Sequence, residues 1–166
     1  MNVETVFDEH YEVLDRYLVR LTGDPDQAAD VAQECFIRLI VRSPEERQLR
    51  GWLFRVATNL VRDESRVRRR RIELLQETSD LAGAGAGVAP PDPEQALVLQ
   101  ERSRTVRRAL DALNLRDRTL LLMREEGFSH KEMAVAVGTT TKSVGSMIAR
   151  ALSKLAIELS RPGIEL

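Results

Sequence analysis

The sequence predicts an all-α protein of two small helical domains joined by a flexible linker, the second domain containing a helix-turn-helix. Three observations carry this. Apolar residues recur at three- and four-residue steps in several separate stretches, and no stretch sustains the alternation of a β-strand. Residues 78–93, TSDLAGAGAGVAPPDP, interrupt the pattern with glycines, alanines and prolines that offer no apolar face. The expected divisions are residues 1–77, a linker 78–93 and residues 94–166, and helical domains of that size can each close a modest core.

In the first domain, Val6, Phe7, Val13, Leu14, Tyr17, Leu18 and Leu21 outline a first helix. Asp24, Pro25 and Gln27 form a helix-start signal in which the carboxylate caps free amides. Ala28, Val31, Ala32, Cys35, Phe36 and Leu39 then make one buried stripe, which leaves Asp30, Gln33, Glu34 and Arg38 on the outside. After a polar loop from Arg42 to Arg50, a third helix carries Leu53, Val56, Ala57 and Leu60 inward. Its other face aligns Arg55, Asn59, Arg62 and Arg66 at steps of four, three and four. An acid-free ridge of three cations around one amide suits phosphates, with Asn59 placed to reach a base or sugar.

In the second domain, Asp92, Pro93 and Gln95 repeat the start signal, and Leu99, Val106, Leu110 and Leu113 mark the inner face of the helix that follows. Arg116 to Glu126 reads as a short helix closed by Gly127. Ser129-His130-Lys131-Glu132 is a capping box that opens a helix with Met133, Ala134 and Val137 inside, and Gly138 ends it. From Thr139 a threonine cap and a further helix bury Val144, Ile148, Ala151 and Leu155. A short capped helix, a glycine turn and a longer helix form the helix-turn-helix. Lys142 to Ile157 contains no acid, while Lys142, Arg150 and Lys154 are basic, as suits a helix lying against DNA.

The net charge of −1 hides a strong asymmetry. Residues 1–46 hold eleven acids against four arginines, whereas residues 50–71 hold eight arginines against Asp63 and Glu64. One domain thus presents an acidic surface and a basic one, which suggests a polyanion on one side and a different partner on the other. No apolar run approaches the ~20 residues of a membrane span. Met1-Asn2-Val3-Glu4 lacks the basic start of a secretory signal, and the lone Cys35 cannot form an internal disulfide. A cytoplasmic location without membrane insertion is expected. Asp24, Asp26, Asp30 and Glu34 lack the glycine and ligand alternation of a calcium loop, and the isolated His10 and His130 with one cysteine give no zinc set. Neither catalysis, metal nor cofactor is therefore expected.

Asp30-Val31-Ala32-Gln33-Glu34-Cys35-Phe36-Ile37-Arg38-Leu39 resembles the sigma-factor segment D-x-x-Q-E-x-F-x-R that docks on the clamp helices of RNA polymerase. Trp52-Leu53-Phe54-Arg55-Val56-Ala57-Thr58-Asn59-Leu60, followed by Asp63, is similar to the segment W-L-x-R-I-A-x-N-L-x-x-D associated with promoter melting and the minus-ten element. Leu110-Asp111-Ala112-Leu113, Arg116, Arg118 and Glu126-Gly127-Phe128-Ser129 resemble the domain that reads the minus-thirty-five element. The motifs keep the order and spacing of the extracytoplasmic-function RNA polymerase sigma factors, of the sigma-70 family, on both sides of the linker.

The resemblance implies an alternative sigma factor that binds core RNA polymerase and promoter DNA and is commonly held by an anti-sigma factor. Carried over by position, it implies polymerase docking through Asp30, Gln33, Glu34 and Arg38. DNA contacts are implied for Trp52, Arg55, Asn59, Arg62, Arg66, Thr140, Thr141, Lys142, Ser143, Ser146, Arg150 and Lys154. The chain departs from the family's G-T-V-K-S-R-L segment, with Gly145 and Met147 in place of a lysine and an arginine. The alternative is a stand-alone helix-turn-helix regulator. That would require a ligand pocket or receiver sheet in the first domain, for which the pattern gives no sign.

Overall fold

The computed structural model describes residues 2–42, 44–45, 49–75 and 93–161 and, within them, the side chains of all but 72–75 and 93–99. Among the described residues there are seven helices and no strand: α1 (Val3–Thr22), α2 (Pro25–Arg42), α3 (Leu49–Leu75), α4 (Pro93–Ala112), α5 (Leu115–Glu125), α6 (His130–Val137) and α7 (Thr141–Leu159). The linker expected at 78–93 lies, up to Asp92, outside the described residues.

Local chemistry sets most helix ends. Asn2 caps α1 by accepting from the Glu4 amide at 3.0 Å. Gly23, at φ 73°, closes α1 in the left-handed conformation that disfavours a Cβ. Asp24 Oδ1 then accepts from the amides of Asp26 and Gln27 at 3.0 and 3.2 Å, the start signal expected for α2. At α6 the full capping box forms, and Gly138 at φ 67° ends the helix. Thr140 differs from expectation. Its hydroxyl pairs with Ser143 Oγ at 2.8 Å rather than with a backbone amide, so the first turn of α7 has no side-chain cap.

The α2 stripe is buried as predicted, Cys35 included. In α3, Leu53 and Ala57 are buried but Val56 and Leu60 only partly so, while Phe54, Thr58 and Val61 join the core. The stripe is displaced because α3 packs on α6 as well as on α1 and α2. On α4 the buried line runs through Thr105 and Ala109 and continues to Leu113 just past the helix end; Val106 is 42% exposed, against expectation, and the side chain of Leu99 lies outside the described residues. A threonine and an alanine occupy the i, i+4, i+8 line there, so a reading by apolarity picks the neighbouring valine. Leu155, expected inside, is half-buried.

The helices form an amino-terminal unit (α1–α3) and a carboxy-terminal unit (α4–α7) that pack on each other in one continuous core. Phe54 is the hinge of this contact. Its ring lies 4.8 Å from Tyr17 in its own unit and 4.4 Å from Phe128 in the other, centroid to centroid.

Candidate functional site

The outward face of α2 displays Asp30, Gln33 and Arg38 as exposed side chains, with Glu34 partly covered. Arg38 Nε donates to Glu34 Oε1 at 2.7 Å, an i,i+4 pair that fixes both. Three apolar side chains on the same end of the helix are also exposed: Ile37 at 52%, Ile40 at 59% and Val41 at 79%. Phe7 of α1, itself 42% exposed, stacks on Tyr11 and packs against Phe36 beside them. The signal for these residues was present, since positions 37, 40 and 41 fall off the 28-31-32-35-36-39 stripe. Docking chemistry read from polar residues alone passes over them.

On α3, Arg55 and Arg66 are exposed and Asn59 and Arg62 half-buried, so the four lie along one side of the helix as a ridge. Arg62 donates to Asn59 Oδ1 at 3.3 Å. With its oxygen so engaged, Asn59 presents the amide nitrogen as a donor. Trp52 is half-buried against the core, which makes it a support for this face at least as much as a contact.

On α7, Thr140, Thr141, Lys142, Ser146 and Arg150 are exposed and Ser143 is half-buried. Ser146 Oγ and Arg150 Nε turn back on backbone carbonyls of their own helix, those of Ser143 and Ser146, at 3.0 and 3.3 Å. Lys154 stands apart, because its ammonium is paired with Asp117 of α5. Met147 is only 8% exposed and belongs to the core, whereas Gly145 is exposed beside His130. The arginine-to-methionine departure is therefore a packing change, and the lysine-to-glycine departure leaves open surface.

The structure thus yields three separate faces: a partly acidic, partly apolar one on α2, a cationic one on α3, and a small polar one at the start of α7. Comparison with known proteins gives the family. The pattern of Sigma-70 region 2 matches residues 6–71 and that of Sigma-70, region 4 matches residues 103–155. The chain is 32% identical to the ECF RNA polymerase sigma factor SigL of Mycobacterium tuberculosis, over 98% of this chain and 91% of that protein. The chain belongs to the ECF sigma factors. It is also 32% identical to the SigE sigma factor of Mycolicibacterium smegmatis, over 95% of this chain but only 61% of that longer protein. The sigma factor RpoE of Bartonella quintana, solved in complex with the anti-sigma factor NepR, shares the fold at a TM-score of 0.70 and 22% identity, over 96% of this chain and 99% of that one.

In this sigma factor the region 2 match runs from within α1 to within α3, and the region 4 match from within α4 to within α7. Between them sits a charged cluster that the sequence did not reveal. Arg16 grips Glu126 in a bidentate pair at 2.9 and 2.7 Å, Arg20 approaches the same carboxylate at 3.4 Å, and Arg50 donates to the Glu126 carbonyl at 3.0 Å. The hydrogen bond from Arg16 is the chief reason that the Glu126 carboxyl lies below its ordinary value of 4.5, with the nearby positive charges of Arg16, Arg20 and Arg50 adding to it against the effect of burial. A carboxyl lowered in the folded state stabilises the fold above its unfolded value and loses that contribution as pH falls through the folded value. The melting temperatures of the native chain and Glu126→Gln should therefore converge as pH drops below 4.5 and stay apart above it. A difference that persists unchanged down to full protonation would show that the charge of Glu126 contributes nothing. Burial also pushes the Cys35 thiol up to about 12, which leaves it unreactive at neutral pH.

Among the described residues no helix is long and apolar enough to cross a membrane, and no group of acids, histidines and cysteine is placed to hold a metal ion.

Proposed function

We propose that this chain is a cytoplasmic, non-enzymatic subunit of RNA polymerase that docks on the core enzyme through α2 and directs it to a two-part promoter. One observation carries the reading: a protein-type face and two DNA-type faces occupy three different helices of one chain. Asp30, Gln33, Glu34 and Arg38 supply the polar part of the docking surface. Ile37, Ile40 and Val41 supply the desolvated centre that a stable protein interface needs. The ridge of Arg55, Asn59, Arg62 and Arg66 lies along the downstream element, with Trp52 at its root. The first turn of α7 has no side-chain cap, and its Thr141 and Lys142 amides face a phosphate beside the Lys142, Ser146 and Arg150 side chains, while the Ser143 amide donates to the Thr140 carbonyl at 3.0 Å. Lys154 can join them only by leaving Asp117.

The boundaries that fit this reading are region 2 over 1–77, a linker over 78–93 and region 4 over 94–166. The anti-sigma factor bound to the structurally similar RpoE supports a regulator of the same kind as a partner here.

Run-off transcription with purified core polymerase, followed by start-site mapping on genomic fragments, tests the assignment. Discrete start sites that depend on both the chain and core enzyme are expected. A stand-alone helix-turn-helix regulator would instead bind duplex sites without polymerase and confer no new start sites.

A further inference from the structure

Lys142 to Ile157 contains no acid, so the charge of α7 over this stretch comes from Lys142, Arg150 and Lys154. Lys154 follows Arg150 by one turn and stands on the same side of the helix, where by sequence it would add a third cation to the DNA face. The fold ties it elsewhere. Its ammonium donates to Asp117 Oδ2 across the contact between α5 and α7. Asp117 is only 7% exposed, and Asn114 holds it from the other side. Asn114 Oδ1 accepts from the Asp117 amide at 2.9 Å, and Asn114 Nδ2 donates to the same Oδ2 at 2.9 Å. The carboxylate also lies in the first turn of α5, where the free amides of a helix start favour a negative charge.

We infer that Asp117 is a positioning residue that withholds Lys154 from DNA, and so limits how tightly region 4 holds duplex of any sequence. The inference rests on the sigma-factor reading above and removes one contact from its upstream face.

The two competitors for the ammonium are unequal. A phosphate on the rim of a DNA groove lies in water, where salt screens charges beyond about 8–10 Å and an exposed ion pair contributes little. The Asp117 carboxylate is enclosed by protein and is screened far less. Moving Lys154 to a phosphate would strip this buried carboxylate of its only ion pair among the described residues. Breaking one side of a buried pair costs more than an exposed contact returns, so the pair persists on DNA. Yet the ammonium is not walled in. The Lys154 side chain is 52% exposed, so removal of the Asp117 charge is enough to free it.

The consequence concerns affinity without sequence. A lysine on a phosphate strengthens binding to every duplex alike and reads no base. With Met147 in the core and no side chain at Gly145, α7 has few groups that discriminate bases. A further sequence-blind contact would hold the polymerase on unrelated DNA as firmly as it strengthens the upstream element.

The test uses holoenzyme assembled from the full chain and core polymerase, titrated between 50 and 200 mM salt on two promoter fragments, one with the upstream element intact and one with it scrambled. Asp117→Asn keeps the side-chain shape without the charge. It should steepen the dependence of log affinity on log salt by about 1, so that its gain over the native chain is about 3.5-fold larger at the low salt than at the high, equally on both fragments. Lys154→Gln should leave the native slope unchanged. The double variant should return to that slope, which separates release of Lys154 from the mere loss of a negative charge. Circular dichroism checks that each variant is folded, and if Asp117→Asn is not, Lys154→Gln alone decides the point. An unaltered slope in folded Asp117→Asn, a gain that survives in the double variant, or a flatter slope in Lys154→Gln overturns the inference. Failure of the native chain to assemble with core polymerase would instead sink the sigma-factor reading, and the same slopes measured on the free full chain still decide the role of Asp117.

Discussion

Combining Gln33→Ala with Glu34→Lys weakens binding to core polymerase by at least about tenfold while leaving the helices intact, because the two residues sit on the face of α2 opposite its buried stripe. Loss of the Glu34–Arg38 pair costs the helix only about 0.3–0.5 kcal/mol, too little to unfold region 2. The effect at the interface is larger. A lysine at position 34 stands beside Arg38 and turns a mixed surface into a cationic one, and like-charge contact across an interface costs several kcal/mol. A titration of labelled chain with core enzyme, paired with circular dichroism, reads both quantities. Native affinity with native helicity would remove α2 from the docking surface. An Ile37→Ser, Val41→Ser variant separates the apolar share of the same surface, and a loss there with Gln33 and Glu34 intact is the expected pattern.

The parts of this protein that follow from local chemistry are legible in its sequence. Asp24, Ser129 and Gly138 act within a turn of their own position, so the helix ends they set could be read from spacing. The α2 stripe was equally plain, because a helix packed on one side buries one regular line. Legibility failed where a second element intervened. The core line of α3 moves to Phe54 and Thr58 because α6 covers a side that a lone domain would leave in solvent. Val106 is apolar and yet exposed, because Thr105 and Ala109 fill the buried line and apolarity alone does not mark position. Met147 marks a missing polar contact in the sequence, and only the packing shows that the position has joined the core. The Glu126 cluster was the least accessible, since its partner Arg16 is 110 residues away and no periodicity connects them.

These placements sharpen how the two regions divide recognition. Met147 is buried and Gly145 carries no side chain, so the start of α7 offers DNA only hydroxyls, amides, Lys142 and Arg150. Such groups bind phosphate well and read base edges poorly. Replacing Arg150 with alanine should therefore lower promoter binding nearly uniformly across upstream sequences and reduce the salt slope by about 1. Asn59 is placed differently, with its oxygen tied to Arg62 and its amide nitrogen presented on the cationic ridge of α3. A positioned amide contact to a base is worth about 1–3 kcal/mol, so Asn59→Ala should slow open-complex formation roughly ten- to hundredfold while closed-complex affinity changes little. The change should track downstream sequence rather than salt, because the ridge arginines that hold phosphate remain in place. Binding and permanganate footprinting on a library varied at both elements measures all of this in one design. A shift in upstream base preference on Arg150→Ala would mean that α7 reads bases after all, and normal strand opening by Asn59→Ala would move downstream readout to another residue.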